Sequence, residues 1–173
     1  NHTNRIPDNY KVILTKLDNG KEVDSRIVLE LSQMFRAARK DDIYMQVNEG
    51  YRSSHSQQKI LDNRTDYYKS KGLFTILARR YALNYVSAPG TSEHQLGLAV
   101  DIVGDYRYTT NQSAYRWLER NAYKYGFVKR YPKSKTSITH IKHEPWHYRY
   151  VGKKAALKMH QKNLCLEEYV ESL

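Results

Sequence analysis

The sequence predicts an α+β fold, a small antiparallel sheet flanked by helices. Three observations carry that prediction. Apolar stripes at helical spacing and short two-residue alternations both occur along the chain. They do not alternate regularly, as parallel strand–helix–strand units would. The chain has 173 residues, 40% apolar and 27% charged, enough to bury roughly 70% of its unfolded surface without disulfide or metal staples. No internal repeat, low-complexity tract or linker divides it, so residues 1–173 are expected to form one domain. Residues 1–23 read as an irregular segment packed on that domain, with turn signals at Pro7-Asp8-Asn9 and Asp18-Asn19-Gly20.

Asp24 is placed to cap a helix running to about Lys40, because Ile27, Leu31, Met34, Phe35 and Ala38 share one stripe. Ile43, Met45 and Val47 alternate, so 43–48 reads as a strand. Ser54 with Gln57 fits a capping box opening a helix to about Ser70. A second helix covers about 73–85, ended by Pro89-Gly90, and Leu98 to Val103 is a buried strand with one acid inside it. Ser113 is the expected cap of a helix carrying Ala114, Trp117, Leu118 and Ala122, stopped by Gly126. Phe127–Tyr131 and Trp146–Val151 read as strands, and helices at about 153–162 and from Leu166 close the chain.

Composition narrows the function. The mean hydropathy is −0.81, and no run approaches the ~20 apolar residues of a membrane span. The chain starts polar (Asn1-His2-Thr3-Asn4), which suits an ectodomain separated from an anchored precursor. Cys165 is the one cysteine, which excludes an internal disulfide and a thiolate zinc cage. Any metal must be held by histidines and carboxylates. Lys plus Arg number 29 against 18 acids, a net charge of +11. That balance favours anionic polymers: nucleic acid, acidic lipid or an anionic wall. The cations are scattered, which argues against a dedicated nucleic-acid arm. The 16 tyrosines against 3 phenylalanines suit a groove that binds polar polymers.

The chemistry concentrates in two stretches. In Ser92-Glu93-His94-Gln95-Leu96-Gly97-Leu98-Ala99-Val100-Asp101, an aspartate sits inside an apolar strand. A buried carboxylate costs several kcal/mol unless something cationic faces it. In Glu144-Pro145-Trp146-His147, a histidine opens another apolar strand, with a glutamate three residues before it. His94, Asp101 and His147 make a three-ligand set of two imidazoles and a carboxylate, a catalytic zinc pattern that leaves a fourth position for water. Glu144 is the natural general base. His-x6-Asp spacing is not specific by itself, and four unrelated surface groups fit the spacing as well. His55, His140, His143 and His160 read as solvated histidines, and His2 is terminal.

Arg52, in Gly50-Tyr51-Arg52-Ser53 between a strand and a capped helix, could present its planar fork to a carboxylate or an oxyanion. An exposed loop arginine is the plainer role. Gln57 either completes the capping box or points at substrate. Ser92 either donates to substrate or caps a turn; it has no base that would make it a nucleophile.

These stretches, with Tyr125-Gly126-Phe127-Val128, Arg130-Tyr131-Pro132 and Leu166-Glu167-Glu168-Tyr169, resemble the VanY-type D-alanyl-D-alanine carboxypeptidases of the LAS zinc peptidases. The resemblance runs from about Pro7 to Leu173, and the Ser-x-His-x6-Asp and Glu-Pro-Trp-His blocks in this order are highly specific. It implies the LAS (hedgehog/D,D-peptidase-like) fold and one zinc on His94, Asp101 and His147, with Glu144 as base. It also implies Arg52 at the oxyanion or terminal carboxylate, and Ser92, Gln57 and Trp146 at the substrate. The implied activity is removal of the terminal D-alanine from peptidoglycan stem peptides, in glycopeptide (vancomycin) resistance or wall maturation. An L,D-carboxypeptidase, a D,D-dipeptidase and an inactive wall-binding module are the alternatives. The implied setting is extracytoplasmic and membrane-anchored, as a monomer near anionic wall polymers, with no nucleic-acid partner. Three departures from the family pattern stand out: Glu49 where a small residue is common, His140 where glycine is usual, and Cys165 in place of a hydroxyl residue.

Overall fold

The computed structural model describes residues 4–7 and 9–173. Mixed helices and antiparallel strands are present, as the sequence predicts. A two-stranded hairpin comes first, β1 (Leu14–Lys16) against β2 (Glu22–Asp24). The expectation of an irregular 1–23 is corrected here for its last third. Three-residue strands are too short to show a period, and only the Asp18-Asn19-Gly20 turn betrays them, with Gly20 at φ +82°. Asp24 does act as a cap: its carboxylate accepts from Arg26 N (2.9 Å) and starts a 3-10 turn that runs into α1 (Val28–Lys40). Ile27, Leu31, Met34 and Ala38 of the expected stripe are buried, and Phe35 lies at its margin.

The central sheet has the order β3-β4-β6-β5, antiparallel throughout, from β3 (Met45–Glu49), β4 (Ala99–Gly104), β5 (Phe127–Tyr131) and β6 (Glu144–Tyr150). Alternation divides its residues between two faces. Met45, Val47, Val100, Ile102, Phe127 and Tyr148 meet α1 and α4 (Asn111–Asn121) in the main core. Asp101 and His147, each next to one of these, point to the opposite face. The chemistry therefore sits on the sheet's back, outside the apolar core that positions it.

Two helix starts differ from expectation. α2 (Ser54–Ser70) is capped by Ser53, whose hydroxyl accepts from Ser56 N (3.2 Å). α4 is capped by Thr110, whose hydroxyl accepts from Ser113 N (3.2 Å). In both, the capping hydroxyl stands just outside the helix and the expected serine lies inside it. The expected α2 capping box does not form because Ser54 is inside the helix, and the residue three after the Ser53 cap is Ser56 rather than Gln57. α3 (Thr75–Ala82) folds back on α2, and α5 (Thr136–Thr139), α6 (Lys153–Lys162) and α7 (Leu166–Glu171) complete the chain. α6 joins Val128 in a smaller apolar cluster through Ala156 and Met159. Cys165 is the buried N-cap of α7, and Glu168 accepts from its backbone N–H (2.8 Å). Among the described residues no helix is long and apolar enough to cross a membrane.

Candidate active site and metal centre

The sheet register assembles the site. Asp101 on β4 is the cross-strand partner of His147 on β6. On β6's other side, Lys129 pairs with Tyr148 but Tyr131 pairs with Glu144, so β6 spends four steps where β5 spends two. This bulge lets Glu144 and His147, three apart, face one cleft, which a regular strand would forbid. Pro145 sits in the bulge, where the ladder is interrupted and its missing N–H costs nothing.

His94 comes from outside the sheet, on a 3-10 turn over Glu93–Leu96 that ends at Gly97 in the left-handed region (φ +68°). A Cβ on Gly97 would come within 2.9 Å of Asp24 N, so only glycine lets the turn lie against the hairpin. The His94 Nδ1–H donates to Gly50 O at 2.7 Å, which leaves Nε2 free as a ligand atom. Gly50 is itself pressed on the hairpin: a Cβ there would lie 2.2 Å from Glu22 O.

Three atoms that could hold a metal ion converge. His94 Nε2 lies 3.5 Å and His147 Nδ1 3.1 Å from Asp101 Oδ1, and the three fall within 4.8 Å of one another. Asp101 Oδ1 is buried yet receives no hydrogen bond of good geometry, so these atoms face a common point rather than each other. Glu144 Oε2 stands 3.5 Å from His147 Nδ1, beside the cluster. Burial opposes the charge on Asp101, but His147 and His94 hold its carboxyl well below its usual range. Burial also opposes charge on His147, yet Asp101, Glu93 and Glu144 carry it up to about 9. Burial pushes Glu144 up to about 7, against the pull of His147 and Arg52. A pocket that draws positive charge onto a buried imidazole suits a cation.

Every site residue read from the sequence lines one cleft of about 210 Å3: Arg52, Gln57, Ser92, His94, Asp101, Glu144, Trp146 and His147. Gln57 is engaged at both ends, accepting from Arg52 Nη1 (3.0 Å) and donating to Ser87 O (2.7 Å). It thus aims Arg52, whose Nε is buried without a partner. Glu49 Oε2 lies 3.5 Å from Arg52 Nη2, so this departure does place a charge at the arginine. Ser92 is buried, and Trp146, 38% exposed, forms the rim. His140 holds φ +57°, the left-handed conformation that explains why glycine suits the position. His160 is not merely solvated: its ring stacks on Tyr123 at 3.7 Å.

The sequence reading missed the layer beneath the ligands. Glu93 Oε1 accepts from Arg130 Nε (2.7 Å), and Arg130 is forked onto Glu167 of α7 (2.8 and 2.5 Å). Arg149 Nη1 adds a contact to Glu93 at 3.4 Å. Burial raises the Glu93 carboxyl, but Arg130 holds it well below the usual range. Its Oε2 faces His147 Nε2 at 3.7 Å, and neither atom has another partner. The signal was present, a glutamate beside a ligand histidine and an arginine in an apolar strand, but only the fold pairs them.

The family model for VanY, D-alanyl-D-alanine carboxypeptidase, matches residues 20–153. The chain belongs to the VanY family. A D-alanyl-D-alanine carboxypeptidase of Enterococcus faecalis is 49% identical over 172 residues, covering 99% of this chain and 64% of that protein. Among solved structures, VanYB in complex with D-alanine-D-alanine matches with a TM-score of 0.96 and 49% identity, over 99% of this chain and 94% of that one. A VanY variant from the VanB-type resistance cassette, in complex with Zn(II), matches with a TM-score of 0.94 and 49% identity, over 98% and 96%. The chain spans between 46% and 64% of the length of the first three curated relatives it matches.

Proposed function

We propose that residues 1–173 form one catalytic domain of a zinc-dependent D,D-carboxypeptidase, which removes the terminal D-alanine from peptidoglycan stem peptides. One observation carries the reading: His94 Nε2, Asp101 Oδ1 and His147 Nδ1 converge, with Glu144 beside them and uninvolved in the cluster. The donor set, two imidazoles and one carboxylate with open space beside it, is that of a catalytic zinc site. Zinc, when bound, acidifies water and polarises the scissile carbonyl.

The chain's own residues do the rest. Arg52, aimed by Gln57, binds the substrate's terminal carboxylate or the developing oxyanion through the part of its guanidinium that lines the cleft. Ser92 donates a hydrogen bond from the cleft wall, and Trp146 closes the rim over the peptide. Glu144 takes a proton from the attacking water as its oxygen bonds to the carbonyl carbon. It returns that proton to the amide nitrogen as the C–N bond breaks and free D-alanine leaves. Glu93 holds the far side of His147.

Similarity to VanYB, seen with D-alanine-D-alanine, supports the D,D preference. Work outside the cytoplasm, in glycopeptide resistance or wall maturation, fits that substrate, and the charge of +11 suits anionic wall polymers. We take the chain as a monomer. The test is product mass analysis on tri-, tetra- and pentapeptide stems, with chelation and zinc add-back. The expected result is one D-alanine lost from the pentapeptide only, abolished by chelator and restored by zinc. Glu144→Ala should lower turnover by several orders of magnitude with zinc still bound. Near-normal release of D-alanine by that variant, or cleavage of the tetrapeptide alone, sinks the assignment.

A further inference from the structure

The α2–α3 hairpin ends in a tip that neither the catalytic cleft nor the core explains. The two helices run antiparallel: Tyr68 meets Tyr81, with ring centroids 5.7 Å apart, and Arg64 lies over Tyr85 at 4.7 Å. Their connection puts Phe74 at 88% and Ile76 at 87% exposure, with Leu77 half-exposed beside them. A single exposed apolar side chain is ordinary. Two large ones almost wholly in solvent, two residues apart at a projecting turn, need another explanation. The charge around them is one-sided. Residues 67–80 contain Lys69, Lys71, Arg79 and Arg80 and no acid. Asp66, just outside, neutralises Lys69 (2.9 Å) and leaves the other three cations without a carboxylate among the described residues. Tyr67 and Tyr81, each about half-exposed, stand behind the tip, amphipathic rings of the kind found at headgroup level.

We propose that this tip docks on an anionic lipid surface, with Phe74 and Ile76 entering the interface and Lys71, Arg79 and Arg80 on the headgroups. Charge complementarity selects the occupant. A second copy of the chain, paired about a two-fold axis, would bring the same cations against each other. An acidic polymer in water would use the cations and leave Phe74 and Ile76 wet. A lipid interface takes both. The docking also sets a height. Arg52 lies two residues before α2, and the sixteen steps from Ser54 to Ser70 span about 24 Å at 1.5 Å each. The cleft, lined by Arg52 before α2 and by Gln57 and Ile60 on it, is thus held roughly 15–24 Å along α2 from the lipid.

The test is co-sedimentation of the zinc-loaded chain with phosphatidylglycerol/phosphatidylcholine vesicles and with pure phosphatidylcholine vesicles. Binding is expected to the anionic vesicles only, weakening as salt rises. Phe74→Ser/Ile76→Ser should lower the partition coefficient at least tenfold with the circular-dichroism melt unchanged. Arg79→Ser/Arg80→Ser should lower it more than tenfold, each cation contributing about fivefold. The emission of the Phe74→Trp variant should shift to the blue on anionic vesicles. No vesicle binding by the unaltered chain overturns the proposal. So does equal binding by the Phe74→Ser/Ile76→Ser variant, or a Phe74→Trp emission that stays where it is in water. A dimer in sedimentation velocity that the Phe74→Ser/Ile76→Ser variant abolishes assigns the tip to a second copy and overturns it too.

Discussion

Replacing Arg130 with Met tests whether the layer beneath the ligands is held together as its geometry implies. Arg130 is 2% and Glu93 7% exposed, and their contact is 2.7 Å. Methionine fills much of the volume but removes the charge and three hydrogen bonds. Glu167 can turn to solvent, so its loss is small. Glu93 cannot, and Arg149, at 3.4 Å, and His147, with its raised pKa, at 3.7 Å, remain as the cations facing it. Removing one partner of a buried pair costs about 3–5 kcal/mol; with Arg149 and His147 retained, the lower end, about 3 kcal/mol, applies. At about 2–4 °C per kcal/mol for a chain of this size, the melting temperature should fall by about 6–12 °C. The assay is urea and thermal unfolding followed by circular dichroism, on protein stripped of metal. Glu93→Gln in the same chain removes the stranded charge. The double variant should therefore be less destabilised than the sum of the singles by more than about 1 kcal/mol. A loss below about 1 kcal/mol for Arg130→Met, or strict additivity, would show that the charges are hydrated and the network carries little.

Three further outcomes follow from the geometry. Gly50→Ala forces a Cβ to 2.2 Å from Glu22 O, so it should cost about 1–3 kcal/mol in urea unfolding. It should also weaken zinc in a competition titration, because Gly50 O orients His94. Glu49→Ser removes the carboxylate 3.5 Å from Arg52, and KM for a D-Ala-D-Ala peptide should fall severalfold with kcat held; an unchanged KM refutes competition for the guanidinium. The hydrogen bond from Arg26 holds the Asp24 carboxyl below its unfolded value. Its contribution is therefore present above about pH 4 and lost as pH falls through the folded value. Asp24→Asn should flatten the acid limb of the stability curve, and an acid limb as steep as before counts against the pair.

The sequence by itself determined most of the order of elements, from the first long helix onward, and, through its resemblance to a family, the expected chemistry. Periodicity is a local property, so the α1 stripe and the β4 and β5 runs could be read directly. The proposed ligands, the proposed base and Arg52 could be singled out because each sits in a short block, but their residue types left unrelated surface groups open, and the resemblance to the family chose between the readings. Local reading erred where the decisive partner is adjacent but ambiguous: Ser53 against Ser54, Thr110 against Ser113. It was silent where the partner is remote. Nothing in the chain tells that β6 bulges to turn Glu144 and His147 into one cleft, since a bulge is set by the register against β5. The pairing of Glu93 with Arg130, 37 residues away, and the fork of Arg130 onto α7 likewise exist only after folding. Low-dielectric burial makes that contact matter, and burial is a property of the whole packed chain. The exposure of Phe74 and Ile76 is the converse case: the helical stretch at about 73–85 is legible, but which of its apolar residues meet solvent is decided by how the hairpin packs.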